Sequence, residues 1–181
     1  MSAKARVLIV DDNAANRTAF GAVLDADFDV TLAESGLEAV RLCRDRTFAV
    51  IVLDVRMPEM DGFDTAEALR RREETRATPI IFTSAYEKTM AQLTRGYIAG
   101  ATDFLFSPVD ADLLKLKVST YAQIYLRHEA LRLKVLHLNE SLQALQAELA
   151  RRGVPSTRLR LRIQDLNETA SELRRQTSRV S

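Results

Sequence analysis

The chain has 181 residues, 46% of them apolar and 28% charged, with a formal net charge of +1. That length suits one domain plus an appendage, and the near-zero charge excludes a whole-chain field that would gather nucleic acid or an anionic membrane surface. Cys43 is the only cysteine, so no internal disulfide can form, and the start MSAKARVLIV lacks the apolar run of a signal peptide or membrane span. The expectation is a soluble, cytoplasmic protein.

Taken in chain order, short β-branched runs stand at RVLIV (6–10), FDVTLA (28–33), FAVIVLD (48–54), PIIFTS (79–84) and ATDFLF (101–106), with helical patterns between them. Strands as apolar as VIVL fit a parallel sheet covered on both faces, and right-handed crossovers then give a doubly wound, five-stranded α/β domain. Such sheets bind ligands beyond the carboxyl ends of their strands. There the sequence puts Asp11 and Asp12 after the first strand, Asp54 after the third, Ser84 after the fourth and Ser107-Pro108 after the fifth. Carboxylates converging on one edge repel and raise one another's pKa unless a cation joins them, and an all-oxygen site with few ligands suits hydrated Mg2+. Asp11-Asp12 alone reads equally well as a helix cap ahead of AANRTAF. Asp54 shifts the balance toward a site, because it ends a buried strand and is followed by Met57-Pro58 and Asp61-Gly62.

A second regime begins near residue 120. Helix-compatible sequence runs from Asp110 to Arg152 without Gly or Pro, roughly 63 Å at 1.5 Å per residue. Tyr121, Ile124, His128, Leu131, Val135, Leu138, Leu142, Leu145 and Leu149 follow alternating steps of three and four, the seam of a coiled coil. Gly153-Val154-Pro155-Ser156 reads as stop and restart, and Leu159, Ile163, Leu166, Ala170, Leu173, Thr177 and Val180 resume the spacing. The second helix can fold back as a hairpin or the turn can open into one kinked rod; so short a connection favours the hairpin, and two hairpins pairing as a four-helix bundle would make a homodimer. The arginines of this region read as a solvated face, since no aromatics interleave with them as nucleic-acid binding would require. The expected division is therefore 1–122 for the α/β domain and 123–181 for a dimerisation extension.

LIVDDN (8–13), VLDVRMPEMDGF (52–63), PIIFTSA (79–85) and GATDFLFSPVD (100–110) together resemble the receiver domain of two-component response regulators. The resemblance covers about residues 4–122, with the motifs in the family's order and spacing. It implies a flavodoxin-like fold in which Asp54 accepts a phosphoryl group from a sensor histidine kinase or phosphotransfer protein. It also implies Mg2+ held by Asp12, Asp54 and the backbone carbonyl of Arg56, with Asp11 acting directly or through water. Ser84 would donate its hydroxyl to a phosphoryl oxygen, Phe104 would be the switch aromatic, and Arg56 and Tyr86 would gate water access to the acyl phosphate. The sequence departs from the family at Ser107, where the pattern has lysine. A unit charge pair about 4 Å apart is worth roughly 4 kcal/mol at an effective dielectric near 20, before desolvation. Arg56 and Lys88, on loops flanking the site, are the candidate substitutes.

The expected function is a phosphorylation-dependent switch that signals through protein contacts and is not itself an enzyme. Its rival is a pseudo-receiver that is never phosphorylated and acts as a constitutive dimeric scaffold. A third reading makes His128, followed by Glu129, a helical phosphotransferase. It is the weakest of the three, since His128 lies on the seam and Ala130-Leu131-Arg132 lacks the proline of kinase phospho-accepting helices. His137 falls on the outer face of the same helix.

Overall fold

The computed structural model describes residues 4–84, 90–151 and the isolated positions 165, 168 and 169. The Gly153–Ser156 turn, and with it the choice between hairpin and rod, falls outside the described residues, as do Tyr86 and Lys88.

Strands β1 (Arg6–Val10), β2 (Asp29–Ala33), β3 (Val50–Asp54), β4 (Ile80–Ser84) and β5 (Asp103–Phe106) alternate with helices α1 (Ala14–Leu24), α2 (Gly36–Asp45), α3 (Gly62–Arg70), α4 (Met90–Ile98) and α5 (Ala111–Arg151). The strands form one parallel sheet in the order β2-β1-β3-β4-β5, the doubly wound arrangement that the apolar runs predict and the flavodoxin-like fold that the resemblance implies. β1 starts where its run does, and the other four strands start one or two residues inside theirs, the usual uncertainty of element ends.

Alternation along the strands feeds two separate cores. Leu8, Val10, Ile51, Leu53, Ile80 and Phe82 face one way and meet Ala39 and Cys43 of α2 and Phe63, Ala66 and Leu69 of α3. Val7, Ile9, Val50, Val52, Ile81 and Leu105 face the other way and meet Leu24 of α1 and Leu114, Val118 and Ala122 of α5. Near-continuous apolar strands are what burial on both faces demands. The helices start on side-chain caps: Asn13 accepts from the N–H of Ala15, Ser35 from that of Glu38 and Asp61 from that of Asp64. Glu38 in turn accepts from the N–H of Glu34, the residue before the cap, and so ties the entering chain to the first turn of α2.

At the amino-terminal edge of the sheet, Arg70 closes the fold. Its Nη2 donates to the carbonyl of Gly100 at 2.7 Å and its Nη1 to that of Thr78 at 2.8 Å, tying α3 to the turns that precede β4 and β5. Burial holds this guanidinium down at about 10. Gly100 has φ +98 and a β-carbon there would strike the Arg70 side chain, so glycine suits both the backbone and the space.

The chain divides into two compact units, residues 1–126 and 127–181. Helix α5 runs for 41 residues through that division, much longer than packing on the sheet requires. Among the described residues no helix is long and apolar enough to cross a membrane.

Candidate functional site

The site is built on the carboxyl ends of β1, β3, β4 and β5. Because β1 and β3 are hydrogen-bonded neighbours, residues far apart in sequence leave the sheet side by side: Asp11 just past Val10, and Asp54 as the last residue of β3. One carboxylate oxygen from each of Asp11, Asp12 and Asp54 lies within 4.8 Å of the others, and this is the acidic cluster found among the described residues. Asp11 is 2% exposed, Asp54 is half-buried and Asp12 is open to solvent.

Asp11 does not cap α1, since Asn13 does. Instead its Oδ1 accepts from the Asn13 N–H at 2.8 Å and its Oδ2 from Asn16 Nδ2 at 3.0 Å. Arg17 Nη1 donates to the carbonyls of Asp11 and Asp12 at 2.7 and 3.0 Å, stiffening the loop that carries both acids. Burial still pushes the Asp11 carboxyl upward, against the lowering effect of the Asn13 and Asn16 bonds. Asp54 accepts from the Arg56 N–H at 3.0 Å, yet it is raised to about 6, first by burial and then by the charge of Asp11. Burial together with like charges is the electrostatic signature of a cation site, and the donor set is the hard oxygen type that suits Mg2+. The three residues thus fit the metal that the sequence implies.

Past Asp54 the chain turns through Pro58 and Glu59, whose φ of 66 is left-handed, and returns to α3. The Gly62 N–H donates to the Val55 carbonyl at 2.9 Å, and a β-carbon at Gly62 would strike the Asp54 carbonyl. Glycine is required there for the helix to start against the end of β3.

Ser84 ends β4, 7% exposed, next to Thr83, which pairs in register with Asp54. Ser107 is exposed, and its backbone N–H donates to the Ser84 carbonyl at 2.9 Å, so the position that lacks the lysine still ties the ends of β4 and β5 together. Arg56 is exposed beside the acids. The predicted switch aromatic, Phe104, is turned inward, 8% exposed, with its ring centroid 5.4 Å from Phe82 and 5.3 Å from Tyr97. Gly96 of α4 makes the room: a β-carbon there would collide with the ring. Arg95 holds the same helix to α3 by donating to Asp61 at 3.1 Å and lying 4.4 Å over the Phe63 ring.

The sequence reading missed Asn13, Asn16, Arg17 and Arg95. The first three were accessible in principle, being the cap and first turn of the helix that directly follows the acids; Arg95 depends on where α4 docks. His128 lies half-buried on α5 and His137 is exposed.

A doubly wound parallel sheet with three carboxylates beyond the neighbouring strands β1 and β3 defines a receiver-type signalling module. Residues 7–119 match the response regulator receiver domain, and the chain belongs to that family. Receiver domains work with histidine kinases or phosphotransfer proteins in two-component signalling and bind Mg2+ at an acidic site. Similar curated proteins include the transcriptional regulatory protein ZraR of Klebsiella oxytoca, 32% identical over 62% of this chain and 25% of that protein. The signal transduction histidine-protein kinase BarA of Escherichia coli K12 is 34% identical over 60% of this chain and 12% of its own. Response regulator PleD of Caulobacter vibrioides is 33% identical over 71% and 28% respectively. The chain thus spans little more than a quarter of these relatives at most. Among solved structures, chemotaxis protein CheY4 of Vibrio cholerae is 32% identical with TM-score 0.63, covering 66% of this chain and 99% of its own. The receiver domain of sensor histidine kinase PA1611 from Pseudomonas aeruginosa is 29% identical with TM-score 0.62, covering 67% and 99%, and holds a magnesium ion in its active site cleft.

Proposed function

We propose that the chain is a phosphorylation-dependent switch in which Asp54 accepts a phosphoryl group, and that it signals through protein contacts of a dimer formed by its C-terminal helices. The observation that carries the reading is the convergence of Asp11, Asp12 and Asp54 within 4.8 Å at the carboxyl edge of the sheet. Mg2+ held by Asp12, Asp54 and the Arg56 carbonyl, with Asp11 direct or through water, would neutralise the transferring oxygens. An Asp54 oxygen attacks phosphorus in line, and the bond to the donor breaks as the leaving group departs with its electron pair. Asp11, fixed by Asn13 and Asn16, holds its place in the acidic cluster without rearrangement. The Ser84 hydroxyl then turns toward the new phosphoryl oxygens, and Arg56 and Tyr86 gate the water that would hydrolyse the acyl phosphate. The donor is a sensor histidine kinase or a phosphotransfer protein.

The scaffold reading keeps a specific support: residue 107 is a serine and carries no cation. Intact-mass spectrometry after incubation with Mg2+ and a small phosphodonor separates the two. Phosphorylation predicts a gain of one phosphoryl group in the wild type and none in Asp54→Ala. A wild type that gains nothing from any small donor or kinase leaves the scaffold.

A further inference from the structure

We infer that two copies of the chain pair antiparallel along the stripe Leu131, Leu138 and Leu145 of α5, with Arg127 of each copy beside Glu148 of the other. The inference deepens the proposed dimer and rests on it. Within residues 127–151 the predicted seam is not uniform. His128, Val135, Leu142 and Leu149 are half-buried, whereas Leu131, Leu138 and Leu145 are 61%, 60% and 51% exposed. The exposed leucines recur every seven residues and therefore form one straight stripe, the spacing at which one helix meets another over several turns.

The occupant is identified by the charges along the stripe. Positions four before each leucine, and three after the last, lie along one flank and read Arg127, Lys134, Ser141 and Glu148, basic at one end and acidic at the other. The opposite flank, one residue past each leucine, carries Arg132, Asn139 and Gln146, with no acid. When two identical helices lie antiparallel, each flank meets its own counterpart reversed; when they lie parallel in register, it meets the opposite flank. The stripe is symmetric about Leu138, so reversal sets Leu131 opposite Leu145 and brings Arg127 within one residue of Glu148 at both ends. A parallel pair gives Arg127 no acidic partner and sets it near Arg132. Charges flanking an apolar seam select orientation in this way. Glu148 is also 3.8 Å from Arg151 of its own chain, an exposed pair of the kind that rearranges readily.

The test is disulfide trapping in the full chain. Cys43 is buried, 2% exposed, and the wild type serves as control. Leu138→Cys links copy to copy in either orientation and so reports the dimer alone. Leu131→Cys by itself links only in a parallel pair, because reversal separates the two thiols by 14 residues, about 21 Å, beyond disulfide reach. In a mixture of Leu131→Cys with Leu145→Cys, the mixed 131–145 link forms only in the antiparallel pair, whereas in a parallel pair each variant links only to itself. The expected result is linking of Leu138→Cys and of the mixture, with Leu131→Cys alone unlinked. Self-linking of Leu131→Cys overturns the orientation, and linking of Leu138→Cys without the mixture overturns the register. No linking in any variant, with light scattering showing monomer, removes the dimer itself. As a second measurement, Arg127→Glu or Glu148→Arg alone should weaken dimerisation about three- to tenfold, and the double variant should restore it. A double variant as weak as the singles counts against the pairing.

Discussion

At Asp54 two carboxylates press on a third, and residue 107 offers no cation to relieve them. An acid whose folded pKa is raised loses native stability as pH climbs from its ordinary value to the raised one, here from 3.8 to about 6. At pH 7 the metal-free protein bears that full cost. Asp54→Asn should therefore stabilise it, by about 1–2 kcal/mol once solvent screening of this half-exposed group is allowed for. Denaturant titration at pH 7 and pH 4 checks this: the advantage of the variant should shrink at the lower pH, and added Mg2+ should narrow it at the higher. Ser107→Lys acts on the same balance from outside. The ammonium favours the phosphorylated state over the free one, but it also pairs with the free Asp54 carboxylate, so the differential is about 1–2 kcal/mol. Hydrogen exchange around Ser84 and Phe104, with and without beryllofluoride, should show a larger response in Ser107→Lys than in wild type. Equal responses mean that another group already supplies the charge.

Between elements, the junction of β5 and α5 is polar as well as apolar. Asp103 accepts from Lys117 Nζ and from the Tyr121 hydroxyl at 2.9 Å, and from the Phe104 N–H at 2.7 Å. Burial works against its ionisation, but these bonds win and its carboxyl is held below the usual range. Tyr121, expected on the coiled-coil seam, is thus committed to the sheet, and its hydroxyl is raised to about 12 by burial and by the Asp103 bond. A depressed acid contributes stability above its unfolded pKa and loses it as pH falls through the folded one. Asp103→Asn should accordingly destabilise the domain by about 1–3 kcal/mol at pH 7 and by progressively less below pH 4, read from chemical denaturation across that range. Gly96→Ala tests the α4 contact. Alanine is the better helix former by about 1 kcal/mol, yet its methyl meets the Phe104 ring, so the outcome expected is a net loss and a changed Phe104 environment by NMR. The strands and their ends were legible in the sequence because a doubly covered parallel sheet imposes apolar runs. The Asp103 network and the inward Phe104 were not, since both depend on how α5 and α4 dock, which periodicity does not encode.

For the whole molecule, the apolar stripe on α5 and the acidic cluster belong to different units, so assembly should not require phosphorylation. Light scattering at micromolar concentration should give a dimer in wild type and in Asp54→Ala alike, and a monomer in either would end that expectation. The long helix was legible from its uninterrupted pattern. The split of its seam into half-buried and exposed positions was not, because a three-four repeat marks a stripe without saying which side of it is covered.

The order β2-β1-β3-β4-β5 has a bearing on how the chain tolerates rebuilding. Every acid of the site leaves the carboxyl end of a strand, while the connections into the amino-terminal ends take no part in it. The exposed residues Arg46 and Thr47, in the link between α2 and β3, lie at that quiet edge. A reporter domain spliced there should leave the acidic cluster intact, whereas the same splice between Arg56 and Glu59 would pull Asp54 away from its neighbours. The sheet thus offers one edge for engineering and keeps the other for chemistry.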